Sequence, residues 1–433
     1  MHRRDLLCGL TASTLGVTFA GGLNFADDLS ATTSSEPRPG TSGALTGPAR
    51  RVIYLFMEGA MSHLETFDPK TDGSAAGPGR PIATSVAGVH FSSYLPNLAD
   101  RADQVAIVRS LSTTTGDHAG GQYMMRTAYT RANAAAHPAM GAYVVQSLGR
   151  DNPHLPGNYV IGSAAGHPGA GFLDATLSPV PIGKPDGGLA NSNLPRYVTP
   201  PLLDRRLSLA SRLDRDFQAR YGDDTGVAAY NRLYREARQL VGSEHLTAFD
   251  LQKEPADLRS RYGEDSFGQG CLLARRLCQH GARFVEVTLG GWDMHQELDE
   301  QMSERSAILD RALSALLDDL TASGLIGETL VVLTTEFGRK PDMNSNEGRD
   351  HHPGAFSSLL AGAGVAAGTV YGATDARGQE VTDSHASIAD FNRTIAAAAG
   401  LPLDQDVIAP NGRPFKIGGD GTPITELLTG DFS

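Results

Sequence analysis

Cysteine is nearly absent from this chain: three residues in 433. Cys8 lies in the N-terminal segment, and Cys271 and Cys278 fall seven apart in a helical pattern, about 10 Å along a helix axis. That exceeds disulfide reach, so no disulfide framework is available and the two later thiols read as buried structural residues. Positive charge is the minority, with 37 Lys and Arg against 49 Asp and Glu and a net charge of −12. Nucleic acid is therefore excluded as a partner, because phosphate binding needs a basic footprint. A small anionic substrate is not excluded, since a local site can oppose the global sign. No internal repeat occurs, and no G-x-S-x-G elbow. "EGAMSH" at 58–63 lacks that frame, which counts against a hydrolase built on Ser62, His63 and Asp68.

What is present begins at the N-terminus. "MHRRDLLCGLTASTLGVTFAGGLNFA" sets Arg3 and Arg4 before a weakly apolar stretch from Leu6 to Ala20. It resembles a twin-arginine export signal over 1–26, with cleavage after Ala20 or Ala26. The stretch is too short and too rich in Gly, Ser and Thr for a stable membrane-spanning helix. Residues 27–50 read as a disordered Ser/Thr/Gly/Pro linker. The expected location is periplasmic or secreted, membrane-tethered if the signal stays uncleaved, with the twin-arginine export machinery as a partner.

Beyond the linker, continuous apolar runs of strand length alternate with helical patterns. "VIYLFM" (52–57), "QVAIVRS" (104–110), "RFVEVTL" (283–289), "TLVVLTTE" (329–336) and "FSSLLAG" (356–362) are the strand candidates, as expected for strands buried on both faces. Helical patterns cover 121–132, 140–149 and 304–324, with a long helical section at about 203–281 that reads as an insertion or cap. The expected fold is α/β: one domain over 51–433 with a mostly parallel sheet sandwiched by helices.

In such sheets ligands bind beyond the carboxyl ends of the strands. Four strand ends carry polar residues there: Glu58, Ser62 and His63; Ser112 to Thr115, Asp117 and His118; Trp292, Asp293 and His295; Glu336 and Arg339. The turn "GRDHHPG" at 348–354 adds His351 and His352. Glu58, Asp293, His295, Glu336 and His351 offer O and N donors without thiolate. That set suits Zn²⁺, Mn²⁺, Fe or Ca²⁺, whose identity the residues leave open. Arg339 is either a clamp for a phosphate or sulfate oxygen or an ordinary ion pair. The hydroxyl run either holds a nucleophile or caps the following helix.

"VIYLFMEGAMSHLETFDPK", "VAIVRSLSTTTGDHAGGQYMMRTAY", "GGWDMHQ" and "TTEFGRKPDMNSNEGRDHHPGAFSSLLAGAGVAAGTVYGATD" resemble, in order, domain-of-unknown-function family 1501, as does the closing "IADFNRTIAAAAGLPLDQDVIAPNGRPF". These are exported proteins related to the sulfatase and alkaline phosphatase superfamily. The resemblance runs from about residue 50 to the C-terminus. It implies an alkaline-phosphatase-like core, with Glu58, Asp293, His295, Glu336 and His351 as metal ligands. The nucleophile it implies falls within the Ser112–Thr115 run; the roles read for the other polar residues are Thr115 as that nucleophile, His118 as a general acid/base and Arg339 as the anion holder. The superfamily's Asp-His pair reads Glu336–Phe337 here, so one histidine is missing, with His352 or His118 as replacements. The implied activity is metal-dependent hydrolysis of sulfate or phosphate esters, on a small anionic ester or a sulfated or phosphorylated glycan. The alternative is a catalytically silent envelope binding or assembly protein that keeps the fold.

Overall fold

The computed structural model describes residues 49–70, 77–132, 135–190, 192, 197–213, 225–241 and 243–430. The export segment with Arg3 and Arg4, and nearly all of the expected linker, lie outside the described residues. The last linker positions belong to the fold: Ala49 is buried, and its N–H donates to the Ala398 carbonyl at 3.1 Å.

The five expected strands all form. They are β1 Arg51–Glu58, β2 Val105–Ser112, β5 Phe284–Gly290, β6 Thr329–Thr334 and β9 Phe356–Gly362. Two short ones, β3 Asn158–Ile161 and β4 Val180–Ile182, extend the sheet on one side. β7 Gly338–Met343 and β8 Arg349–His352 make a separate hairpin. Val370–Tyr371 (β10) and Ala386–Ser387 (β11) both pair with β2. The nine-stranded sheet runs β10-β2-β9-β6-β1-β5-β3-β4, with β11 off this path. Every pairing is parallel except those of β9, which is antiparallel to both β2 and β6.

Alternation along β1 divides the core. Ile53, Leu55 and Met57 face one apolar cluster, whereas Val52, Tyr54 and Phe56 face the other, as the two-residue period of a strand requires. The helices follow this division. α1 His118–Thr127, α2 Met140–Leu148 and α7 Ile388–Ala398 contribute to the second cluster. α5 Ser266–Gln279 and the 25-residue α6 Leu298–Ala322 contribute to the first. α3 Pro200–Leu213 and α4 Thr225–Leu240 form the helical middle section. α5, expected as the end of that section, instead belongs to the core layer, with Cys271 and Cys278 free and buried in it. Among the described residues no helix is long and apolar enough to cross a membrane.

Register sets the site. Glu58 pairs with Gly290 and Phe56 with Thr334, so the ends of β1, β5 and β6 lie level. Because β9 is antiparallel, its first residue, Phe356, sits opposite Leu111 near the end of β2. The β7–β8 hairpin, between β6 and β9 in the chain, is thereby delivered to the same edge.

Candidate metal centre

Close backbone approach lets these segments meet. Gly59 follows β1 at φ +114°, and a Cβ there would fall 2.6 Å from the Asp293 nitrogen. A Cβ on Gly348 would overlap the His295 carbonyl carbon. Glycine at both positions allows the loops after β1 and before β8 to lie against the Trp292–His295 loop. Asp117 caps α1, accepting from the Gly120 N–H at 2.8 Å, and so orients His118 in the first turn.

Three histidines then share one pattern. His118 uses Nδ1 on Glu336 Oε1 at 2.8 Å, His295 uses Nδ1 on Asp350 Oδ1 at 3.3 Å, and His351 uses Nδ1 on the Gly116 carbonyl at 2.7 Å. With Nδ1 engaged on the outer side of each ring, all three Nε2 atoms turn toward Asp293. The distances to its carboxylate are 3.4 Å from His118, 3.0 Å from His295 and 3.1 Å from His351. His295 Nε2 and His351 Nε2 stand 3.0 Å apart. Ligand atoms of His118, Asp293 and His351 lie within 4.8 Å of one another. His118 Nε2 is buried and makes no hydrogen bond. A buried acceptor without a donor is costly, and a cation at the focus of the three rings would satisfy it. The outer acceptors match the way metal-bound histidines are held. This set fits a divalent ion of the imidazole-binding kind better than Ca²⁺, which prefers all-oxygen sites.

The carboxylates occupy different shells. Asp293 is nearly half exposed, with 47% of its side chain accessible. Burial opposes its ionisation, but hydrogen bonds from Arg339 and His351 hold its carboxyl well below the ordinary range. Glu336 is fully buried; it takes the His118 proton and also accepts from the Gly59 N–H at 2.9 Å and the Thr335 hydroxyl at 3.1 Å. These bonds outweigh its burial and keep it ionised, and the Glu336 bond in turn raises His118. Glu58 stands beside the centre: Gln122 Nε2 lies 3.4 Å from its Oε1 and 3.5 Å from Glu336 Oε1. Burial raises the Glu58 carboxyl, and the charge of Glu336 adds to the effect.

The other expected site residues fall as follows. Arg339 is 1% exposed. Its donors go to the Ala60 carbonyl at 2.9 Å, the Arg349 carbonyl at 2.9 Å, the Gly59 and Trp292 carbonyls, and Asp293, and Nη1 also lies 3.3 Å from His295 Nε2. It thus braces the first loop against Asp293. Thr115 Oγ1 accepts from the Asp117 N–H at 3.2 Å, while Ser112 bonds His385 Nε2 at 2.7 Å and Thr113 faces Met124. His352 points away, to the Gln379 carbonyl at 2.6 Å. Phe337, in the place of the missing histidine, is buried with its ring 5.1 Å from that of His118 and 4.9 Å from that of His351. Ser62 bonds Glu65 and His63 bonds the Gly378 carbonyl, so Ser62, His63 and Asp68 form no relay. Asp350 had not been singled out from the sequence; its place directly before His351 was the available signal.

No curated protein sequence matches the chain. Matching solved structures include Ps i-CgsB, at 12% identity and TM-score 0.42, over 87% of this chain and 75% of that one. They also include the lipoteichoic acid synthase LtaP from Listeria monocytogenes, at 10% identity and TM-score 0.40, over 89% and 78%. A third is the PsFucS1 sulfatase from Pseudoalteromonas sp., at 12% identity and TM-score 0.35, over 88% and 76%. Likenesses this distant carry no argument about the present site. The family model described as "Protein of unknown function (DUF1501)" matches residues 49–428, most of the chain, and the protein belongs to that family.

Proposed function

We propose that the protein is a metal-dependent hydrolase of sulfate or phosphate esters, acting at the Asp293 edge. The observation that carries this reading is the convergence of three histidine Nε2 atoms on one carboxylate, each ring fixed by an outer acceptor on Nδ1. His118, Asp293, His295 and His351 would hold the ion. A divalent cation bound there supplies Lewis-acid polarisation of an ester oxygen and lowers the pKa of a coordinated water. The chain's own residues do the rest. Glu336 holds the His118 proton on Nδ1, so that Nε2 stays available. Arg339 fixes the Asp293 rotamer and is a positioning residue here. Thr115 is the hydroxyl this reading assigns as nucleophile, because the next residue, Gly116, gives its carbonyl to His351. Glu58, its carboxyl raised by burial, is placed to act as a proton donor beside the centre.

The silent binding-protein reading has one observation in its favour: Phe337 walls the centre with a ring where the resemblance calls for a ligand. Elemental analysis of the folded protein beside His351→Ala, followed by a panel of aryl sulfates and phosphates, separates the two. Stoichiometric metal that is lost in the variant, with hydrolysis that falls in parallel, supports the enzyme. Metal retained without any hydrolysis supports the silent protein. Thr115→Ser should keep turnover and Thr115→Val lose it.

A further inference from the structure

α1 connects two places of different chemistry. Its N-terminal end carries His118, and its ten residues span about 15 Å. Past its C-terminal end lies a cavity of about 400 Å³ lined by Tyr129, Thr130, His137, Arg413 and Phe415. None of these residues belongs to the metal edge. Two distant stretches of the chain supply them, one from Tyr129 to His137 and the other at a C-terminal hairpin of Asp406–Ile408 and Pro414–Lys416.

The walls are aromatic and fixed. The Tyr129 and His137 rings stack at 4.6 Å and 13°, and Phe415 stands edge-on to both, at 5.3 and 4.9 Å. Phe172 backs Phe415 at 5.4 Å. The Tyr129 hydroxyl donates to the Lys416 carbonyl at 2.8 Å, tying the hairpin to the end of α1. The His137 tautomer follows from its bonds. The Tyr123 hydroxyl accepts from the His137 backbone N–H at 2.7 Å and therefore donates to His137 Nδ1 at 2.8 Å. Nε2 is left protonated, as the ring's remaining donor. Thr130 and Arg413 are exposed, and no ion pair joins Arg413 to a described residue.

We propose that this cavity binds an anionic sugar ring, one bearing a sulfate or carboxylate, as a subsite for a glycan whose reacting ester lies at the metal edge. The second half of this assignment rests on the function proposed above; the binding itself does not. An apolar ring face suits the aromatic wall, Arg413 suits the anion, and the Thr130 hydroxyl with His137 Nε2–H suits ring hydroxyls. Volume favours a sugar over a small aryl anion, because a cavity of about 150 Å³ already holds a benzene ring. Binding pockets for larger ligands begin near 300 Å³. A guanidinium with no ion pair among the described residues, on a chain of net charge −12, is a local reversal of sign, which selects for anionic ligands.

Calorimetric titration of the full-length protein with a chondroitin sulfate tetrasaccharide tests the proposal directly. Wild type should bind, and Arg413→Glu should weaken binding at least tenfold with an unchanged unfolding midpoint. Phe415→Ala should weaken it for both the sulfated and the desulfated tetrasaccharide. Arg413→Glu should leave affinity for neutral chitotetraose, weaker than that for the sulfated sugar, unaltered. No binding by wild type, equal affinity in Arg413→Glu, or competition by p-nitrophenyl sulfate at matching concentration would each overturn it. Since the titration reads binding alone, a protein that binds the sugar but hydrolyses nothing refutes the ester-hydrolase reading and leaves the subsite standing.

Discussion

Arg339 and Arg349 stand on facing strands of one hairpin, and both are buried to within 1%. Each meets a carboxylate and several backbone carbonyls. Arg349 contacts Glu65 at 2.7 Å, with further bonds to the Lys340 and Pro341 carbonyls, and Glu65 is itself 2% exposed. Arg339 contacts Asp293, whose side chain is 47% accessible. The first pair is closed and holds the hairpin to the loop after β1. The second opens at one end and presents its carboxylate to three imidazoles. A buried arginine thus supports stability in one case and fixes a ligand's geometry in the other, depending on where its partner points.

The comparison can be broken at either carboxylate. Glu65→Gln should cost about 3–5 kcal/mol, because it removes a buried carboxylate that pairs with the buried Arg349 guanidinium; urea denaturation reads the loss. Glu336→Gln should change stability less but lower metal affinity about 10–100-fold, since the amide cannot hold the His118 proton as a carboxylate does. Metal-buffered titration checks it. The closed side also predicts a pH dependence. His63 is fully buried and its imidazole is pushed down to about 4 from 6.5, chiefly by burial. The unfolded chain therefore takes this proton first. Stability from this group is complete above pH 6.5 and is lost as pH falls through about 4, with roughly 2 kcal/mol gone by pH 5. Denaturation at pH 7 and pH 5 should show this slope in wild type and not in His63→Gln. Smallest should be the stability change in Asp293→Asn, about 1 kcal/mol, because Arg339 keeps its carbonyl partners and the site is open to water. The same variant should lose its metal. A loss as large as that of Glu65→Gln would erase the distinction between the two pairs.

These two pairs also show what the sequence could convey. The apolar runs at 52–57, 283–289 and 329–336 were legible as buried strands, and their carboxyl ends pointed to Glu58, to Asp293 and His295, and to Glu336 and Arg339. β3 and β4 were not legible: four and three residues long, they are too short for a period to register, and β4 contains Pro181. The roles of His118 and Glu336 were harder still. Which imidazole nitrogen faces which carboxylate depends on helix placement, and that places Glu336 behind His118, outside the three-residue ligand group. Arg339 reads as an exposed clamp because arginine is rarely buried; only the carbonyls of Gly59, Ala60, Trp292 and Arg349 explain why it is.

The reversed strand β9 has a kinetic consequence. His118 and Glu336 are 218 residues apart, and His351 and Asp293 are 58 apart. Their meeting requires β1, β5 and β6 in register and β9 inserted between β2 and β6. Contacts of such separation form late, after the loops that span them have been closed. The ligand edge is therefore among the last parts of the molecule to assemble. An ion bound there stabilises only the finished fold, and its effect should appear as slower unfolding, with the folding rate hardly altered.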